Sequence, residues 1–294
     1  MFYRRKLVLA LLQTFGGSLG KTQFQKLLLL FSQKQSKPDY YFVPYKYGCY
    51  SFQAAADIST MQKYSQVQAT SKGIEKVDTI DYISLLKDRD RAALQELFLL
   101  HGSKDYKELI QYTYTNYPYF AIHSEIAERY LSVGELRKVS EYKPSGSKTI
   151  LYTIGYEGIS LEQYLNKLIA KNIRVLVDVR NNPMSMKYGF TKSQLQSACT
   201  SVGIQYVHFP EVGIISEQRQ ELTCQDDYDK LFDKYKVDTL PFTTSTQQKI
   251  FRLLIEKERI ALTCFESNIC QCHRKHLAEA IAKMSQWKYE LIHL

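Results

Sequence analysis

From Thr149 onward the chain alternates short β-branched runs with stretches of helical periodicity. That alternation restricts the second half to an α/β architecture on a mostly parallel sheet. Strands are expected at 150–154, 174–179, 204–209, 260–264 and 289–293, with helices near 160–171, 191–202, 244–257 and 273–284. Ser160 with Gln163, and Thr191 with Gln194, have the spacing of helix capping boxes.

Polar residues gather at the carboxyl ends of these strands. The first strand runs into Gly155-Tyr156-Glu157-Gly158, and the second ends in Asp178-Val179-Arg180-Asn181-Asn182-Pro183. The third carries His208 just before Phe209-Pro210-Glu211-Val212-Gly213. The fourth leads into Cys264-Phe265-Glu266 and on to Cys270-Gln271-Cys272-His273-Arg274. Open α/β sheets bind ligands in the crevice beyond such ends. Glu157, Asp178, His208 and Glu266 are therefore candidates for general acid and base, since carboxylates crowded on a dry rim raise one another's pKa. Arg180 and Arg274 offer fixed donors to a phosphate or carboxylate. Gly155, Tyr156 and Gly158 lie where backbone amides before a helix favour an anion, although two glycines in a loop also simply make a turn. Pro183 and His273 complete the expected substrate-binding set. The plainer reading of Asp178 and Arg180 is a buried ion pair that satisfies itself.

Cys272 is a second kind of candidate. It precedes the last long helix beside His273 and Arg274, surroundings that depress a thiol pKa and make a nucleophile. A structural thiol is the default alternative. Cys264, Cys270, Cys272, His273 and His276 could also furnish zinc ligands, but their spacing matches no standard knuckle or ribbon. No metal ligands are assigned on sequence, no cofactor is evident, and a divalent metal stays open.

The motifs of residues 149–294 resemble the bacterial family called domain of unknown function 488. The likeness rests on Gly155-Tyr156-Glu157-Gly158, Asp178-Val179-Arg180 with Pro183, Gly189-Phe190, the run from Tyr206 to Pro210, and Cys264-Phe265-Glu266 with Cys272-His273-Arg274. The resemblance implies company with DNA processing or defence against phage, and no particular reaction. The Leu-Val-Asp-Val-Arg strand is also similar to a rhodanese strand. The rhodanese cysteine loop is absent, which counts against sulfur transfer.

The first half reads differently. Residues 3–15 are apolar at helical spacing, a Phe15-Gly16-Gly17-Ser18 turn follows, and Thr22 opens a second apolar helix ending near Phe31. The stretch 41–51 reads as a hairpin or wing turning at Gly48. Helix, turn, helix and wing suggest a mainly α, winged-helix-like domain over 1–141. Residues 21–51 also resemble the Panacea, or SocA-like, domain. In that arrangement Lys21, Gln23, Gln25 and Lys26 would face nucleic acid from the recognition helix, with Lys46 in the wing. The helix is very apolar, so the domain could equally hold a protein partner or a second copy of the chain, as in a homodimer. Further helices are expected near 88–101, 104–115 and 121–132, before a linker at 142–148 rich in Lys, Pro, Gly and Ser.

Charge supports a polyanionic partner. Residues 1–146 hold twenty Lys and Arg against fourteen Asp and Glu, net +6; residues 147–294 hold nineteen against sixteen, net +3. Such an excess suits nucleic acid, DNA before RNA, or a nucleotide. The 23 tyrosines could stack on bases, but tyrosines more often sit half-buried with a wet hydroxyl. Six scattered cysteines suit a reducing compartment. The basic start is followed by an apolar run that Gln13 and Thr14 interrupt, so neither a secretory leader nor a membrane span is expected, and the cytoplasm is the expected location.

Three functions compete. The first is a nucleic-acid- or nucleotide-processing enzyme of hydrolase or transferase type, delivered by a basic DNA- or partner-binding first domain. The second is a non-catalytic, ligand-sensing DNA-binding regulator. The third is a thiol-dependent enzyme using Cys272.

Overall fold

Six consecutive buried residues, Leu7 to Leu12, make the first helix too apolar for a surface position, and α1 (Tyr3–Thr14) lies in a core accordingly. The computed structural model describes residues 1–71, 73–219 and 222–294. The chain divides into two compact units, Met1–Lys143 and Pro144–Leu294. No helix among the described residues is long and apolar enough to cross a membrane.

In the first unit, Gly16 and Gly17 take φ values of +85° and +83°, open to glycine at no steric cost, and turn the chain into β1 (Ser18–Leu19). Helix α2 (Lys21–Ser32) follows, then the antiparallel hairpin β2 (Val43–Tyr45) and β3 (Gly48–Tyr50). Helix α3 (Phe52–Lys63) starts at Ser51, whose hydroxyl accepts from the Ala54 amide. It leads into a second hairpin, β4 (Val67–Ala69) and β5 (Ile74–Lys76), and β5 also pairs with β1. Helices α4 (Asp88–His101), α5 (Tyr106–Asn116) and α6 (Val133–Glu141) complete the unit. The helix expected near 121–132 is replaced by two short 3-10 turns, Pro118–Ala121 and Ala127–Arg129. Asp57 on α3 accepts from Arg4 Nε at 2.6 Å, Arg5 Nε at 2.8 Å and the Tyr40 hydroxyl at 3.0 Å, so the basic start of the chain ties α1 to α3.

Helix α2 does not present the expected recognition face. Every residue from Phe24 to Ser32 is buried. Lys26 is 1% exposed, with Nζ donating to the Tyr47 carbonyl and lying 4.4 Å from the Tyr114 ring centroid; burial lowers its pKa. Gln25 accepts from the Ser51 amide, and Gln23 accepts from the Gly20 amide at the helix start. Lys21 is exposed, as is Lys46, whose Nζ lies 3.7 Å from a Glu125 oxygen. Four leucines in succession leave α2 no polar face, and packing decides its orientation.

The second unit begins with β6 (Ile150–Gly155), α7 (Leu161–Ala170), β7 (Val175–Asp178), α8 (Lys192–Ser201) and β8 (Gln205–His208). It continues through α9 (Gln225–Asp238), α10 (Thr244–Lys257), β9 (Arg259–Cys264), α11 (Arg274–Ala282) and β10 (Glu290–His293). All five strands are parallel, in the order β10-β6-β9-β7-β8. Every residue of β6, β7 and β9 is buried, as a sheet covered on both faces requires. Leu262 and Cys264 pack with Ile250 of α10 and Leu277 of α11 on one face. Thr263 points the other way and accepts the Tyr164 hydroxyl of α7 at 2.7 Å.

The order of the strands locates the site. After β7 the chain moves outward to β8; after the adjacent β9 it moves to the opposite edge, to β10. The connections leaving these neighbouring strands diverge and open a crevice at their carboxyl ends. Ser160 and Gln163 form the expected capping box on α7. Thr191 caps nothing with its side chain, because Gln194 accepts from the Gly189 amide instead.

Candidate functional site

A cavity of about 300 Å³ occupies that crevice, lined by Tyr156 after β6, Arg180, Asn181 and Asn182 after β7, and Phe265 and His273 on either side of the loop after β9. Met184 and Met186 form its outer rim and are 79% and 104% exposed.

Asp178 and Arg180 build the wall rather than face a ligand. Asp178 is fully buried at the end of β7. Arg180 Nε lies 2.9 Å from its Oδ1, Nη2 donates to Oδ2, and the Tyr206 hydroxyl donates to Oδ2 at 2.6 Å. Arg180 Nη1 donates to the Tyr156 hydroxyl at 2.7 Å and the Phe190 carbonyl at 2.9 Å. Tyr156 in turn stacks on Phe190 with centroids 4.1 Å apart. Burial alone would lower the arginine's pKa, but the hydrogen bonds and charge of Asp178 outweigh it and hold the guanidinium charged. Burial, reinforced by the Asp178 charge, pushes the Tyr206 hydroxyl up and keeps it a donor. The self-satisfying ion pair is the geometry found.

The loop after β6 is likewise occupied. The Tyr156 and Glu157 amides both donate to the Phe265 carbonyl, at 3.1 and 2.9 Å, so they do not form an anion cradle. Gly155 lies against the main chain of Glu266, and Gly158 has φ +76° in the turn. Glu157 is exposed and accepts from the Ser267 amide and hydroxyl. Outside the cavity, His208 Nε2 stands 2.8 Å from the Arg180 carbonyl, and the Pro183 carbonyl accepts from the Lys192 amide at the start of α8. Arg274, 1% exposed, donates through Nη1 to the Glu266 carbonyl and through Nη2 to that of Ser267, clamping the loop after β9.

Beside the cavity three soft donors converge. Cys264 ends β9, Cys272 and His273 immediately precede α11, and their donor atoms lie within 4.8 Å of one another. Cys264 Sγ is 3.7 Å from His273 Nδ1 and 3.3 Å from Glu266 Oε2. His273 Nε2 lies 3.1 Å from the Val179 carbonyl, which can only accept, so the proton belongs on Nε2 and the Nδ1 lone pair faces the sulfur. Cys270 is exposed and stands outside this group. The expected activation of Cys272 is corrected: burial pushes its thiol well up, Cys264 and Glu266 push the same way, and Arg274 opposes too weakly.

Of the residues singled out from sequence, Tyr156, Arg180 and His273 line the cavity, and Glu266 and Cys272 stand behind it. Glu157, Asp178 and His208 do not join them in one acid–base constellation. Sequence reasoning missed Asn181, Met184, Met186 and Phe265 as lining residues, and Tyr206 and Phe190 as supports. The available signal was a methionine pair following a strand-end Asn-Asn-Pro. Burial predicts thiol behaviour directly: in the native protein Cys224 and Cys270 should react promptly with an aromatic disulfide reagent, and Cys49, Cys199, Cys264 and Cys272 only on unfolding. Prompt native labelling of Cys272, read by peptide mass mapping, would contradict this placement.

Residues 160–281 match the family described as Domain of unknown function DUF488. The match runs from the cap of α7 into α11, so it takes in Asp178, Arg180 and the loop after β9 but not Gly155 to Gly158. No curated protein and no solved structure matches the chain.

Proposed function

We propose that Pro144–Leu294 is an enzyme of hydrolase or transferase type that processes a nucleotide or nucleic-acid substrate in the cavity beyond β6, β9 and β7. The observation that carries this reading is the mixed lining: Asn181 and Asn182 line the same space as Phe265 and two exposed methionines, with Asn181 Nδ2 donating to the Pro210 carbonyl and Asn182 Oδ1 accepting from the Met184 amide. Carboxamides pair with base edges. Aromatic and thioether surfaces take the flat face of a base, and large apolar side chains seldom stand exposed around a cavity without such a use.

For Met1–Lys143 we read a winged helix in which α3, rather than α2, is the outward helix and β4–β5 the wing. The order α1, β1, α2, α3, β4, β5, with the β2–β3 hairpin inserted between α2 and α3 and β1 paired to β5, supports it, as do the exposed Ser59 and Lys63 and the net positive charge. This unit would deliver DNA, or a protein partner, to the cytoplasmic enzyme. The Panacea-like reading rests on residues 21–51, and association with phage defence rests on the likeness of the second unit to the domain of unknown function 488 family.

Turnover tests the proposal. The protein is incubated with labelled DNA, RNA and nucleotides, with and without magnesium. Phe265→Ala should lower kcat/KM by about 5- to 100-fold, the loss of one stacked base. Binding without turnover would favour the ligand-sensing regulator, which the structural commitments of Asp178 and Glu157 support. Neither binding nor turnover across the panel would remove both readings.

A further inference from the structure

We infer that Cys264, Cys272 and His273 form a three-donor binding site for a zinc-class divalent ion, the fourth position falling to an exogenous ligand such as water. The inference rests on donor geometry and not on the nucleotide reading of the cavity.

The spacing fits. Sulfur about 2.3 Å and nitrogen about 2.1 Å from a common tetrahedral centre stand about 3.6 Å apart. Cys264 Sγ and His273 Nδ1 are 3.7 Å apart, and all three donor atoms lie within 4.8 Å. Glu266 Oε2 hydrogen-bonds the same sulfur at 3.3 Å and lies outside the set of mutually close donor atoms. The imidazole is set as a metal ligand usually is: its outer nitrogen lies against the Val179 carbonyl, fixing tautomer and ring plane while the inner nitrogen points at the thiols.

The fold accounts for the convergence. Cys264 is held by the rigid end of the central strand β9, and the loop returns to place Cys272 and His273 together at the start of α11. Arg274 fixes that loop through two main-chain carbonyls, so the donors are preorganised. Two thiolates and an imidazole select a borderline-soft ion over magnesium or calcium, and two thiolates neutralise a divalent cation, which lets it lie in a core. His273 also lines the cavity, so the ion would sit at its inner wall.

Metal content decides the matter. Full-length protein, reduced and stripped of metal, is loaded with zinc, desalted and analysed by mass spectrometry for the element. About one equivalent per chain is expected, as for a single tetrahedral site. Cobalt added to the metal-free protein should give thiolate-to-metal charge-transfer absorption and the strong visible bands of four-coordination. Cys264→Ser and Cys272→Ser should abolish both signals, and Cys270→Ser should leave them unchanged. Circular dichroism checks the fold of each variant; if the cysteine variants unfold, the wild-type cobalt spectrum decides alone. Retention of zinc without thiolate bands, retention by a folded Cys264→Ser protein, or no uptake at all overturns the site. So does a Cys264–Cys272 disulfide that forms in place of uptake. None of these outcomes depends on a substrate, so the cavity reading can fail separately.

Discussion

Replacing Asp178 by alanine is expected to lower the unfolding free energy of Pro144–Leu294 by about 3–5 kcal/mol, the usual cost of stranding one member of a buried ion pair. The arginine cannot shed its charge and cannot reach water: Arg180 is 5% exposed, and its remaining partners are a hydroxyl and a carbonyl. Tyr206→Phe removes only one hydrogen bond to the carboxylate and should cost about 1.5–3 kcal/mol. The single tryptophan, Trp287, lies 6.1 Å from the Phe251 ring and edge-on to Tyr289 in the same unit, so its fluorescence in a urea titration follows this unit specifically. A loss below about 1 kcal/mol for Asp178→Ala would mean the pair is no better shielded than a surface ion pair.

Gly155→Ala should be nearly as damaging, for a steric reason. A β-carbon at Gly155 would lie 1.9 Å from the Glu266 carbonyl oxygen and 2.6 Å from its carbon. Both are main-chain atoms, so no side-chain rotation relieves the clash, and Gly155 is paired in register with Cys264. The strand cannot slide away, and the loop carrying Phe265 and Glu266 must move instead. We expect a cost near the upper end of the overpacking range, about 3 kcal/mol, with loss of ligand binding in the cavity. Gly158→Ala is the control. Nothing lies within 4 Å of a β-carbon there, and the φ of +76° alone should cost about 1–2 kcal/mol. Equal stability of the two variants would refute the close-approach explanation.

The parallel sheet was readable because its three inner strands, β6, β9 and β7, are buried along their whole length, unlike the edge strands β8 and β10. Helix α9 escaped notice because Gln225–Asp238 is largely Asp, Lys and Tyr, and only Leu231, Phe232 and Tyr235 are buried. Helix α3 is mostly Ala, Ser, Thr and Gln, a composition without a clear apolar stripe. In the site, the strand-end positions of Asp178, Arg180 and Gly155 follow from local pattern. Their partners do not: Tyr206 comes from the next strand, Tyr156 from across β9, and Cys264 meets Cys272 only through a returning loop. Such pairings depend on strand order, which no local periodicity encodes. Lys26 shows the converse, since a lysine read as an outward cation lies in the core because the leucines around it set the helix orientation.

The sheet order has a consequence for how the chain comes into being. Strands β6 and β7 are made early in the unit yet never touch; β9, translated much later, fills the gap between them. Until residues 259–264 emerge from the ribosome, two strands that are fully buried in the folded unit must wait with unpaired edges. Such non-local closure is slow and leaves surfaces prone to misassociation. A stalled or truncated nascent chain of this unit is thus a natural client for a holding chaperone, with β9 arriving as the keystone that ends the dependence.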